Sequence, residues 1–391
     1  MTADRVLPDL VIGDLVVNPP IIQGGMGVRV SASRLVSAVS NEGALGVIAS
    51  AALGEELTDT TPGYVARGEI GLRQAIQNTK KHTRNPFGVN IMCALTNYDN
   101  LARVSCDEGV AAIFSGAGLP MKLPALVSDR HVKLIPIVSS ARAAGLICKT
   151  WQKRFSRLPD AFVVEGPLAG GHLGFSHKQT EDVDVLRLER LVTEVIEVAR
   201  QCGGIPVVAA GGVFDGNDIA KFLRLGAAGV QMATRFVCTH ECDASDAYKE
   251  AFIKCRKEDI VIIHSPVGMP ARVIRNDFVD RYLKGERVTF GCPYHCLLTC
   301  EPAEAGYCIA QALVASYRGE MDKGYAMCGA NAWRCDRIVS VHELVQELAQ
   351  DAAAALRCQP RNPSADAPPG GPRKPSAVEL SRYPTTSDPM P

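Results

Sequence analysis

The sequence predicts an α/β chain folded as a (β/α)8 barrel of the TIM type, with a smaller, mainly helical C-terminal lid. Three observations predict it. Short runs of β-formers recur eight times up to Met232, many stretches between them carry helical spacing, and glycine-rich loops follow the runs. Strands that are apolar on both faces belong to parallel sheets covered by helices. Eight strand–helix units in series close into a barrel whose chemistry sits on the loops after the strands.

The runs, in order, are Ile21–Gln23, Leu45–Ala49, Phe87–Ile91, Ala111–Ser115, Leu134–Val138, Ala161–Glu165, Pro206–Ala210 and Gly229–Met232. Leu35, Val36 and Val39, and again Leu188, Leu191, Val192, Val195 and Ile196, fall on one face of a helix. An open doubly wound sheet is the competing arrangement, but the first strand lacks the Gly-x-Gly-x-x-Gly turn that such sheets use. The barrel occupies residues 1–237. Residues 238–336, rich in Cys, His and Pro, form a helical lid or substrate domain over the barrel mouth. Ser340 and Glu343 are spaced as a capping box, and open a helix over 337–358 that packs back on the barrel through Val341, Leu344, Val345 and Leu348. The proline-rich tail, 359–391, has little to bury and reads as disordered.

The 391 residues include 42 basic and 42 acidic side chains, so the formal net charge is zero and nothing draws the chain to nucleic acid or an anionic membrane. No apolar run approaches the ~20 residues that span a bilayer, and the first residues lack the apolar core of a secretory signal. The expectation is a cytoplasmic protein acting on a small molecule, with a homodimer left open.

The run Ala161–Glu165 stops at a glycine-rich loop that holds His172 among Gly170, Gly171 and Gly174. Glycines let backbone approach a planar ligand where a Cβ would collide, and imidazole exchanges a proton near neutral pH. His177, beside Ser176 and Lys178, reads as solvent-facing. The loops after the seventh and eighth strands form a recurrent phosphate site in barrels. Here they carry Gly211, Gly212, Ala233 and Thr234, whose amides, with the Thr234 hydroxyl, can donate to an anion.

Six landmarks in this order resemble the nitronate monooxygenase (2-nitropropane dioxygenase) family. They are Pro20–Gly27, Gly88–Asn90, Gly116–Pro120, Glu165–Gly174, Ala210–Gly212 and Val230–Phe236. The resemblance implies an FMN-containing barrel. It puts the phosphate at Gly211, Gly212 and Thr234, with Ala233 keeping its amide, and the isoalloxazine near Gly25, Met26 and Asn90. Gly171 joins this cofactor set, and His172 becomes the catalytic residue. The implied activity is oxidation of alkyl nitronates to carbonyl compound and nitrite. A sister group, the flavin-dependent enoyl-acyl-carrier-protein reductases, shares the landmarks and implies NAD(P)H as electron donor; Arg272 and Arg275 then meet an acidic cofactor or simply cap a helix. Two departures stand out: Leu168 replaces an acidic residue that usually precedes the Gly-Gly-His, and Ala233 replaces a glycine.

Fourteen cysteines are many for such a chain, and Cys292, Cys296, Cys300 and Cys308 fall within 17 residues. Four thiols at this spacing, with His295, suit a structural zinc or an iron–sulfur cluster; packing of a small lid by buried thiols is the alternative. The resemblance does not require them.

Overall fold

In the computed structural model, residues 7–57, 63–181, 186–288, 290–292 and 294–358 are described; the tail expected to be disordered lies outside them. A hairpin comes first, β1 (Leu10–Ile12) and β2 (Leu15–Val17), turning on Gly13 at φ 62°. Its sequence signal is a Gly-Asp pair between two short apolar runs, outside the eight runs of the barrel. Leu10, Ile12, Leu15 and Val17 are buried against the inward side chains of the barrel, so the hairpin plugs one end.

All eight expected strands form: β3 (Ile21–Gln23), β4 (Gly46–Ala49), β5 (Phe87–Met92), β6 (Ala112–Gly116), β7 (Lys133–Val138), β8 (Phe162–Glu165), β10 (Val207–Ala210) and β11 (Gly229–Met232). A two-residue strand, β9 (Gly171–His172), lies between the sixth and seventh of these. The eight are parallel neighbours in chain order, with β11 pairing back to β3. A bridge between Ile22 and Leu45 closes the ring, with the Leu45 amide donating to Ile21 O at 3.0 Å.

Side chains alternate across each strand. Ile22, Val47, Phe114, Ile135, Val163 and Val208 fill the barrel interior. Ile21, Ile48, Val89, Ile113, Leu134, Val164 and Val230 face the outer helices. Those helices include Ser33–Asn41, Tyr64–His82, Tyr98–Asp107, Ala141–Phe155, Leu188–Gln201 and Gly216–Arg224. Leu35, Val36, Val39, Leu188, Leu191, Val192 and Val195 are buried as their spacing predicts.

The excursion after β11 contains the helices Asp246–Ile253, Asp277–Leu283 and Ile309–Arg318. It also contains a hairpin, β12 (Ile260–His264) and β13 (Pro270–Ile274), and β13 pairs antiparallel with β9 to make a three-stranded sheet. The β-branched content of these two runs explains the strands, which add a hairpin to the mainly helical excursion. The helix Val341–Arg357 buries Val341, Leu344, Val345 and Leu348, and Glu343 N–H donates to Ser340 Oγ at 3.0 Å. Gly216 lets this helix lie close, because a Cβ there would stand 2.4 Å from Ala352 N. Among the described residues no helix is long and apolar enough to cross a membrane.

Candidate active site

Strand periodicity decides what the barrel mouth presents. Val163 points inward, so Glu165, two residues on, points inward one layer higher; the same step places Ile137 beyond Ile135 and Ala210 beyond Val208. Asn90, Gly116, Ile137, Glu165, Ala210 and Gln231 form that upper layer and floor a cavity of about 250 Å³. The residues expected to serve catalysis and cofactor binding all line it: Gly25, Met26, Asn90, Gly171, His172, Gly211, Gly212, Ala233 and Thr234. The loops after β3, β8, β10 and β11, with strand β5, bring them together.

The glycines are required by close neighbours. A Cβ on Gly25 would sit 2.5 Å from Asn90 Cβ, and one on Gly170 would sit 2.6 Å from the Cys328 carbonyl carbon. Gly211 and Gly212 adopt φ of 91° and 93°, the left-handed region.

His172 is a strand residue as well as a loop residue. It pairs with Ala271 of β13, and Leu173 N–H donates to Pro270 O at 2.8 Å. Its Nε2 lies 2.8 Å from the Oγ of Ser265, a fully buried hydroxyl at the tip of the β12–β13 hairpin. Burial pushes the imidazole down to about 4, so it is neutral at neutral pH. Arg272, on the same hairpin, is buried and donates to the carbonyls of Pro167, at 2.8 Å, and Ala169. It is spent on holding the glycine-rich loop. Arg275 pairs with Asp280 at 2.5 Å. Neither arginine lines the cavity.

The phosphate end differs in one detail from a bare helix start. The first amides of the helix Gly216–Arg224, those of Asn217 and Asp218, are capped by the Asp215 carboxylate. The amides of Gly211, Gly212, Ala233 and Thr234 instead have no protein acceptor among the described residues. Thr234 Oγ1 accepts from Gly329 N–H at 3.1 Å, which leaves its proton for another acceptor. Asn331 braces the loop from behind, donating to Gly212 O at 2.7 Å.

Four further polar groups face the cavity without a protein partner among the described residues. Ser50 Oγ is buried and unpaired, and the side chains of Asn90, Gln231 and Glu165 make no hydrogen bond or ion pair. Buried polar groups are ordinarily satisfied, so this ring fits a ligand with polar edges. Desolvation raises the Glu165 carboxyl to about 7, which keeps it largely protonated in mildly acidic solution. Sequence reasoning placed Glu165 at the end of its strand and missed it as a site residue, although period 2 from Val163 points to it. Ser265 had no comparable signal, because 93 residues separate it from His172.

A closed parallel barrel thus carries a half-buried, neutral histidine and a ring of unpaired polar groups at its mouth, around a cavity. The nitronate monooxygenase family model matches residues 10–102 and 92–351. The chain belongs to that family. It is 32% identical over 268 residues to the (3aS,4S,5R,7aS)-5-hydroxy-7a-methyl-1-oxo-octahydro-1H-indene-4-carboxyl-CoA dehydrogenase of Mycobacterium tuberculosis, spanning 68% of this chain and 66% of that protein, just under two thirds of its length. It is 29% identical to a probable nitronate monooxygenase of Staphylococcus saprophyticus, over 69% of this chain and 79% of that one. The structure of FabK from Thermotoga maritima superposes with a TM-score of 0.68 at 29% identity, covering 87% of this chain and 94% of FabK.

Proposed function

We propose that this chain is an FMN-dependent oxidoreductase that oxidises alkyl nitronates to carbonyl compound and nitrite, with His172 as the proton-holding group. The observation that carries the reading is His172 itself, neutral and hydrogen-bonded to buried Ser265 at a cavity edged by unpaired polar groups. Family membership supports a flavin, and the donor set fits one. Gly211, Gly212, Ala233 and Thr234 would hold the phosphate, and Gly25, Met26, Asn90 and Gly171 would admit the ring. When bound, the flavin supplies the electron-accepting chemistry; the protein supplies orientation and protons.

A nitronate is already deprotonated at carbon, so it needs a hydrogen-bond donor for its oxygens and no base. A neutral imidazole serves as that donor. In the tautomer where Ser265 donates to Nε2, the proton resides on Nδ1, which has no protein partner among the described residues. An imidazole at about 4 is a poor base for a neutral nitroalkane, so nitronates are the preferred form of substrate. Tyr248 and the apolar side chains of Val28, Val30, Val237, Leu313 and Met327 wall the rest of the cavity and limit water.

A second reading is reduction or oxidation of an acyl thioester, with NAD(P)H as electron donor. Leu168, apolar where the family usually has an acidic residue, lines the cavity and favours a hydrophobic substrate; the Mycobacterium tuberculosis relative is named for a carboxyl-CoA thioester. Anaerobic mixing of the flavin-loaded protein with a nitronate, with NAD(P)H and with an acyl-CoA separates the two. Flavin bleaching by nitronate alone supports the first. Bleaching only by NAD(P)H or the thioester overturns it in favour of the second.

A further inference from the structure

Residues 286–308 form a segment that should not hold its shape unaided. Among its described residues from Glu286 to Gly306, Leu297 alone is buried. Ordering each residue costs backbone entropy, and one buried leucine offsets that of only a residue or so. A few hydrogen bonds tie the segment to the barrel. Leu297 bridges to Leu95, Thr96 N–H donates to Cys296 O at 3.1 Å, and Leu298 N–H donates to Ala94 O at 2.9 Å. These fall on the loop that follows β5, the strand carrying Asn90 and Met92 of the cavity. Short segments with too little core are ordinarily stapled by disulfides or metal.

The staple's components are present. Cys292, Cys296, Cys300, Cys308 and His295 surround one void of about 10 Å³, closed by Phe290, Leu297, Pro302 and Ile309. That is roughly the room of a single water-sized sphere. All four sulfurs are free thiols. All four line that one void, and Cys308 immediately precedes the helix Ile309–Arg318. Among the described residues no three donors converge on one point, so loading requires the side chains to turn inward, as metal sites that form together with local structure do.

We propose that Cys292, Cys296, Cys300 and Cys308 ligate a thiophilic metal centre, a zinc ion or an iron–sulfur cluster, which pins the 286–308 segment to the loop after β5. The centre is structural and independent of the nitronate reading.

The test uses the full chain purified anaerobically without chelator. Zinc, iron and acid-labile sulfide are measured per chain, with the visible spectrum after flavin removal. About one zinc per chain in a colourless protein, or iron with matching sulfide and broad absorbance near 400 nm, each confirms the thiolate centre and identifies its metal. Cys296→Ser and Cys300→Ser then lose most of the metal, while Cys106→Ser, on the helix Tyr98–Asp107, keeps it. Removing the metal from wild type lowers the melting temperature and opens the 286–306 stretch to protease. The proposal is overturned if wild type holds less than about a tenth of an equivalent, before and after anaerobic reconstitution with zinc or with iron and sulfide. It is equally overturned if both serine variants retain the metal.

Discussion

His172 and Glu165 share one cavity, and burial drives both toward neutrality from opposite sides. With its folded pKa lowered to about 4, His172 is uncharged across the useful pH range, and any rate that needs neutral imidazole stays level from about pH 5 upward. His172→Ala should lower turnover by ~10²–10⁴-fold and leave flavin content unchanged, as steady-state kinetics and the flavin-to-protein absorbance ratio would show. Ser265→Ala should act in the same direction with a smaller loss. Glu165 has its folded pKa raised, to about 7 from 4.5. The folded state therefore holds this proton more tightly than the unfolded chain, and stability is lost as pH rises from about 4.5 to 7. Glu165→Gln removes that loss. Its stability relative to wild type should improve from pH 5 to pH 8 by on the order of 2–3 kcal/mol, read from urea melts of the flavin-free protein. Any kinetic limb near pH 7 in wild type should vanish with the same substitution.

At the scale of elements, the β12–β13 hairpin turns a flexible loop into a site. It gives the glycine-rich loop a strand partner, supplies Ser265 to the imidazole, and sends Arg272 to the carbonyls of Pro167 and Ala169. One guanidinium nitrogen, Nη1, donates to both buried acceptors from a planar, weakly hydrated head, whereas a lysine ammonium is a strongly hydrated point charge on a flexible stem. Arg272→Met leaves both carbonyls unpaired and should cost about 2–6 kcal/mol, since each unsatisfied buried acceptor costs roughly 1–3 kcal/mol. The midpoint of chemical denaturation measures this. Arg272→Lys should recover less than half of the loss.

Across the whole molecule, the proposed phosphate end and the polar floor belong to one cavity but to different elements: Gly211, Gly212, Ala233 and Thr234 follow β10 and β11, whereas Asn90 and Glu165 lie on β5 and β8. FMN should therefore raise the melting temperature well above the shift given by riboflavin at equal concentration, because riboflavin leaves the four amides unpaired. At 100 times its dissociation constant, FMN should add about 2.7 kcal/mol. Thermal shift with FMN, riboflavin and FAD checks this, and an equal response to FMN and riboflavin would remove the phosphate site.

The sequence by itself determined the barrel, because eight apolar runs, their order and the helical spacing between them are local patterns that leave few other ways to bury so many strands. It also pointed to part of the cavity lining, from Gly25 to Thr234, because barrel loops after strands share one mouth and glycine marks where backbone crowds in. Only the tertiary structure decided what those residues meet there. Ser265 reaches His172 from 93 residues away, Arg272 turns inward to carbonyls instead of outward to a ligand, and Glu165 becomes a buried acid because neighbouring strands remove its water. These are contacts between distant segments, and their energies depend on burial that no local pattern records.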